Sequence, residues 1–375
     1  MAAADVLAST EGAETSRVPF KPSGLRSSRD GFDPNKHLDF SPPSRVYTMA
    51  DLGLPDNTGV SPLAVSEPFP LFTQEAVMRM REEVLSKDVL SNCQYSSNLA
   101  QSQLRGYANK YAPFVYDAWK NPETLRIVSG VAGIDLTVQF DFEIGHINLS
   151  FKTEEQKERE LELCNQGQGA VANVPGDDKP IVDWHTDSYP FVCVTMLSDC
   201  SSMKGGETAL RMGSGEILKV RGPQMGCAVV LQGRYIEHQA LRALGATERI
   251  TMVTSFRPRS PRVRDDTVLT TVRPVSDLPE LYYQFTKYRL EILEERIREQ
   301  LRELSDAKAA GRTVPTRKLK DFFREQEHFL AHMNREMVDN NQVTMGAIDD
   351  SHLLKAAARK EKGEQRASKR LKRAR

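Results

Sequence analysis

Residues 182–256 decide how this chain is read: VDWHTDSYPFVCVTML (182–197), GGETALR (205–211), PQMGCAVVLQGRYIEHQ (223–239) and ERITMVTSF (248–256). The apolar runs at 191–197, 226–231 and 250–256 are short, rich in β-formers and bounded by turn residues, as strands are. His185, Thr186 and Asp187 put an imidazole and a carboxylate on alternate residues, and His238 follows fifty-one positions after Asp187. Successive strand side chains point to opposite faces, so His185 and Asp187 reach one metal from one strand while Thr186 points away. His238 then arrives on a neighbouring strand. Two imidazoles and one carboxylate on a triangular face leave coordination positions open, an arrangement that suits non-haem Fe(II).

Ten residues separate His238 from Arg249, and Arg249, Ile250 and Thr251 again alternate along a strand. A guanidinium beside a hydroxyl on one face receives a carboxylate well, because its planar fork bonds both oxygens. His-x-Asp, a distal His and an Arg-x-Thr about ten residues later together resemble the Fe(II)/2-oxoglutarate-dependent dioxygenase superfamily. The segment Gly205-Gly206-Glu207-Thr208 resembles the double-glycine turn between the middle strands of that family's jelly roll.

That resemblance implies an α+β fold, with a double-stranded β-helix (jelly roll) core buttressed by N-terminal and C-terminal helices. It implies His185, Asp187 and His238 as the catalytic Fe(2+) ligands. It also implies 2-oxoglutarate as co-substrate, its far carboxylate held by Arg249 and Thr251, and O2 as oxidant. Members that halogenate lack the carboxylate found here at Asp187, so its presence implies hydroxylation, desaturation or ring closure. Alkylated-base repair members carry a second arginine six residues after the first, where this chain has Ser255. Histone-demethylase-type members anchor 2-oxoglutarate through an upstream lysine instead. The texture of residues 68–261 is most like fungal-type members that tailor amino acids or secondary metabolites, so the expected substrate is a small molecule. The alternatives are a protein or nucleic-acid hydroxylase or demethylase of the same superfamily, a non-catalytic jelly-roll binding protein, and a cupin using another metal.

Composition bounds the rest. Among 375 residues, 39% are hydrophobic, and 51 basic residues balance 51 acidic ones, so a sizeable core is possible and no global field draws nucleic acid. Five cysteines without regular spacing form neither a disulfide framework nor a zinc site, which favours a reducing compartment. No apolar run reaches membrane-spanning length. Asp5, Glu11 and Glu14 in a start without an apolar core argue against a secretory signal or transit peptide. The expected location is cytoplasmic, or nuclear on account of the basic run from Lys369 to Arg375.

In chain order we expect an irregular N-terminal arm over 1–65, a helical buttress over 66–135, the jelly-roll catalytic core over 136–262, C-terminal helices over 263–345 and a basic tail over 346–375. Thr73 caps a helix through Val84, and further helices cover 113–119 and 122–130. Residues 136–151 (LTVQFDFEIGHINLSF) alternate as a half-buried strand pair, with Phe140, Phe142 and Ile144 sharing a face. Glu143, His146 and Asn148 then line the cavity or point to water. His146 and Asn148, with Trp184 and Tyr189 beside the triad, are the candidate substrate contacts. Residues 152–163 form a charged helix, and 165–179 form a Gly- and Pro-rich loop, a lid or a solvated excursion. The helix over 278–304 carries a stripe of Leu281, Phe285, Tyr288, Ile292 and Leu293 before turning almost wholly charged, so it projects into solvent or meets a second subunit in a homodimer. His328 and His332 share a face of a last helix over 316–337, without a third metal ligand.

Overall fold

The computed structural model describes residues 31–348 apart from 99, 164–181, 202, 222–223 and 242. From Phe32 onward the chain forms one unit, built on two antiparallel sheets with helices outside them. The named strands are β1 (Val46–Thr48), β2 (Leu63–Ser66), β3 (Leu136–Val138), β4 (His146–Phe151), β5 (Val182–His185), β6 (Phe191–Met196), β7 (Thr208–Arg211), β8 (Ile217–Val220), β9 (Cys227–Leu231), β10 (His238–Ala240) and β11 (Glu248–Pro258). The larger sheet runs β1-β2-β9-β6-β11-β4 and continues into the short pair Gln103–Leu104 and Gln94–Tyr95, with β3 on the end of β11. The smaller sheet runs β8-β7-β10-β5.

Strand β11 is the axis of the larger sheet. Its ITMVTSF core is β-branched and apolar, and it pairs with β6 on one side and β4 on the other. The register sets Thr251 opposite Met196 and Asn148, and Val253 opposite Val194 and His146. Period two then divides the strand: Ile250, Met252 and Phe256 enter the main core, while Arg249, Thr251, Val253 and Ser255 face the space between the sheets.

The main core lies on the other side of that sheet, under the helices α1 (Gln74–Val84), α2 (Pro113–Lys120) and α3 (Pro122–Ala132). Helix α1 begins where Thr73 Oγ1 accepts the Ala76 N–H at 3.3 Å, and it buries Ala76, Val77, Met80 and Val84 at helical spacing. Pro113 opens α2 without an N–H to satisfy, and the Glu83 carboxylate takes the next two N–H groups, of Phe114 and Val115, at 3.0 Å each. Trp119 is fully buried, its ring against Phe72 and Phe256, with Nε1–H directed at Met252 Sδ 3.2 Å away. Truncating a side chain so placed costs about 3–5 kcal/mol.

After the charged helix α4 (Glu154–Leu163), a second core gathers where α5 (Leu278–Ala309) meets the sheets, and α6 (Thr316–Glu336) folds back on α5. Arg289 of α5 is buried against Asp265 at 3.2 Å and against His332 Nδ1 at 3.1 Å. His332 is therefore occupied as the guanidinium's acceptor, and among the described residues the cluster of possible metal ligands is His185, Asp187 and His238, without His328 or His332. No helix among the described residues is long and apolar enough to cross a membrane.

Three expectations need correction. From residue 31 the supposed irregular arm is built into the fold: Asp33 caps the turn Pro34–His37, and β1 and β2 extend the larger sheet beyond β9. A strand of four residues wrapped in Pro, Gly and Ser is decided by the edge it pairs with, not by its composition. Residues 136–151 are not a continuous strand pair, because a 3-10 turn at Asp141–Glu143 and Gly145 at φ +70° divide them. Phe140 and Phe142 consequently enter the second core and Ile144 the main one, so they share no face. The charged half of the long helix does not stand alone, since Lys318 of α6 meets Glu303 of α5 at 2.9 Å. The loop at 165–179 and the basic run at the C terminus lie outside the described residues.

Candidate active site

A cavity of about 160 Å³ lies between the two sheets, walled by Val182, Val194, Val229, Leu231 and Val253 and carrying a few polar groups. Its position follows from the topology: β4, β6, β9 and β11 present one set of alternating side chains to it, and β5, β7 and β10 present another.

His185 and His238 are direct cross-strand partners of β5 and β10, their ring centroids 4.3 Å apart. Strand β5 ends at His185, so Asp187 reaches the site from the turn beyond it and not from the same strand. There its N–H is held by the Gly233 carbonyl at 2.9 Å. Asp187 Oδ1 lies 3.5 Å from His185 Nε2 and Oδ2 lies 3.7 Å from His238 Nε2. One ligand atom from each residue falls within 4.8 Å of the others.

The protonation pattern fits a cation. His238 Nδ1 lies 2.9 Å from the Ile236 carbonyl, which can only accept, so Nδ1 carries the hydrogen and Nε2 presents its lone pair to the cluster. Burial lowers the His238 pKa to about 4, which keeps the ring neutral. Burial pushes Asp187 upward, but His238 and His185 outweigh it and hold the carboxyl below its usual range. Asp187 Oδ2 is buried without a hydrogen-bond partner among the described residues, an acceptor ready for a metal. Gly233 is what makes room for it: a Cβ there would stand 1.7 Å from Asp187 Oδ2.

Arg249 and Thr251 line the same cavity from β11. Arg249 Nε is sealed from solvent with no hydrogen-bond partner among the described residues, and burial presses its pKa down. A desolvated cation with unmet donors is a receptor for an anion.

The candidate substrate contacts divide. His146, Asn148 and Tyr189 line the cavity, whereas Trp184 is not on its wall and stacks under the Arg211 guanidinium at 4.7 Å. Trp184 is one residue from His185 on a strand, so period two turns it to the other face. Arg105 and Gln103 also line the cavity and were invisible in the sequence. Gln103 opens a two-residue strand and Arg105 follows it, about eighty residues before the motif, with no spacing to connect them to it.

With this geometry in hand the chain can be set beside known proteins. No protein-family model and no curated protein matches it. Solved structures similar to it include 2-oxoglutarate–Fe(II) oxygenases. They include a Pseudomonas putida prolyl-4-hydroxylase (13% identity over 50% of this chain and 88% of the other, TM-score 0.32). AviO1 from Streptomyces viridochromogenes Tue57 matches with 12% identity over 54% and 93%, TM-score 0.34. HygX from Streptomyces hygroscopicus, solved with nickel, 2-oxoglutarate and hygromycin B, matches with 13% identity over 52% and 83%, TM-score 0.32.

Proposed function

We propose that this protein is a non-haem Fe(II)/2-oxoglutarate-dependent oxygenase of a small molecule, built on a jelly-roll core. One observation carries the reading: two imidazoles and a carboxylate converge at one point, and a buried guanidinium whose Nε lacks a hydrogen-bond partner among the described residues shares their cavity. The two facing antiparallel sheets support the jelly-roll assignment.

His185, Asp187 and His238 would hold Fe(II), whose bound chemistry couples decarboxylation of 2-oxoglutarate to succinate and CO2 with oxidation of a substrate C–H bond by O2. The chain's own residues do the rest. The Ile236 carbonyl fixes the His238 tautomer, and the Gly233 carbonyl fixes the backbone at Asp187. Arg249 and Thr251 grip the outer carboxylate of the co-substrate and so orient its keto-acid end toward the ligand cluster. The valine-lined wall keeps water from the reacting centre. The test is succinate release by the purified full chain with Fe(II), 2-oxoglutarate and O2, screened against small-molecule pools with His185→Ala as control. Failure to bind or turn over 2-oxoglutarate, even without added substrate, refutes the assignment.

A homodimer through the C-terminal hairpin completes the proposal. Tyr283, Leu290 and Ile297 of α5 recur every seven residues and are 62%, 49% and 42% exposed. Phe323 and Leu330 of α6 and Met337 just beyond its end keep the same spacing and are 56%, 45% and 41% exposed. The cross-links Thr286 Oγ1 to Met337 Sδ (3.6 Å), Arg296 to Gln326 (3.5 Å) and Lys318 to Glu303 (2.9 Å) set these residues level as three apolar rungs. A two-fold axis near Leu290 would place Tyr283 against Ile297 of a second copy and Lys287 against its Glu294, so shape and charge both suit self-association.

A further inference from the structure

The cavity has a second polar pole, separate from Arg249. Arg105, 2% exposed, forms a buried ion pair with Glu143, itself 1% exposed, on the 3-10 turn before β4. The same guanidinium lies 3.1 Å from His146 Nδ1, the first residue of β4. A guanidinium has donors only, so Nδ1 accepts, and in a neutral ring the hydrogen sits on Nε2. The ring is neutral: burial and the neighbouring Arg105 charge both drive its pKa well down, against Asp187. His146 Nε2 and Arg105 Nε are each buried without a hydrogen-bond partner among the described residues. The Tyr189 hydroxyl lies beside Glu143 on the same wall.

This pole sits apart from the co-substrate's anchor. His146 pairs with Val253, four strand positions from Arg249, or about 13 Å along the sheet. The four C–C bonds of 2-oxoglutarate span only about 5 Å. A co-substrate held at Arg249 therefore leaves the His146 end for another molecule. What that end offers is hydrogen-bond donors: an N–H from neutral His146 and an N–H from Arg105, whose charge Glu143 already balances. Leaving such buried donors unpaired costs about 1–3 kcal/mol each, so the group that fits must accept.

We infer that Arg105 and His146 form the substrate subsite of this cavity, and that it takes an oxygen acceptor, a carboxylate or a carbonyl, and rejects an ammonium. Glu143 is a positioning residue: it holds Arg105 and thereby the His146 tautomer. This rests on the oxygenase reading for the identity of the other occupant, and deepens it by naming the substrate's recognised group.

The test uses the full chain loaded with Mn(II), with and without 2-oxoglutarate, and reads proton relaxation of three matched probes: 3-methylbutanoate, its primary amide and 3-methylbutylamine. We expect the acid and the amide to be relaxed by the bound Mn(II) and the amine not. His146→Phe should weaken the acid and amide roughly tenfold more than it weakens 2-oxoglutarate. His146→Gln, which retains a donor, should recover most of that loss, and this rescue separates a specific contact from misfolding. An acid stronger than the amide identifies a carboxylate subsite, and equal binding a carbonyl one. The inference is overturned if the amine binds as well as the acid, if no probe binds at its solubility limit, or if His146→Phe acts chiefly on 2-oxoglutarate. Loss of 2-oxoglutarate binding in the unmodified protein would instead sink the oxygenase reading, and the subsite would still be read with Mn(II) alone as the part of the acid-over-amine preference that His146→Phe removes.

Discussion

Replacing Gly233 by alanine should disarm the metal site without unfolding the chain. Its backbone is not among the positive-φ glycines, so alanine suits the conformation. The obstacle is Asp187: the new methyl would stand 1.7 Å from Oδ2, 2.6 Å from Cγ and 3.1 Å from Cβ. Real Cβ contacts stop near 3.0 Å, so Oδ2 must retreat by about 1.3 Å, while metal ligands are placed to within about 0.2 Å. Disturbing a ligand's support alone weakens metal affinity about 10–100-fold, and displacing the ligand itself belongs at the upper end. Metal present at a hundred times its dissociation constant stabilises the native state by about 2.7 kcal/mol, and a hundredfold weaker site leaves about 0.4 kcal/mol. For a domain of this size that is a metal-dependent rise in Tm of about 3–4 °C shrinking to under about 1 °C. Differential scanning calorimetry with and without Mn(II) measures it, and titration calorimetry gives the affinity directly. A variant that kept the full metal-dependent rise would refute the role assigned to the glycine and the placement of Asp187 beside it.

Arg249→Gln should weaken 2-oxoglutarate binding by at least about 30-fold, as loss of a buried charged partner costs about 2 kcal/mol or more. The metal-dependent Tm rise should remain, and titration of the Mn(II)-loaded variant checks both. Metal-free protein should lose stability in mild acid, because burial holds folded His238 near 4 while an unfolded imidazole titrates near 6.5. Below pH 6.5 the unfolded chain binds more protons, so this stability is full above that pH and is lost as pH falls toward 4. His238 alone should remove about 2 kcal/mol by pH 5, read from urea midpoints in the presence of a chelator, and unchanged midpoints would show the ring is not buried neutral. Leu290→Glu should convert a dimer to a monomer in sedimentation equilibrium, and Lys287→Glu combined with Glu294→Lys should leave it dimeric. A monomeric unmodified protein at all concentrations would remove the hairpin as an interface.

The part of the site legible in the sequence was the part fixed by short-range periodicity. His185 and His238 sit on strand-like runs, and Arg249 and Thr251 share a strand face, so a period of two was enough to aim them. Trp184 lies off the cavity by the same rule, since a neighbour of His185 on a strand faces away. Asp187 needed more than spacing: the strand ends before it, and its position depends on a hydrogen bond to Gly233, forty-six residues later. Arg105 and Gln103 had no local signature, because a two-residue strand is created by the sheet edge it joins. The break in 136–151 is masked by an alternating pattern that a 3-10 turn can also carry, and Gly145 is a local mark of it.

Strand β11 ties the buried guanidinium of Arg249 to the integrity of the protein. A slip of one residue would turn Ile250 and Met252 into the cavity and Arg249 into the apolar core, so any sequence drift that loosens this strand forfeits both together. The opposite pole is under no such bond. Arg105 follows a two-residue strand, Glu143 sits on a single turn, and Thr271, Val272 and Val275 close that end from a connecting segment. The end of the chamber at Arg105 can therefore be remodelled while the end at Arg249 stays intact.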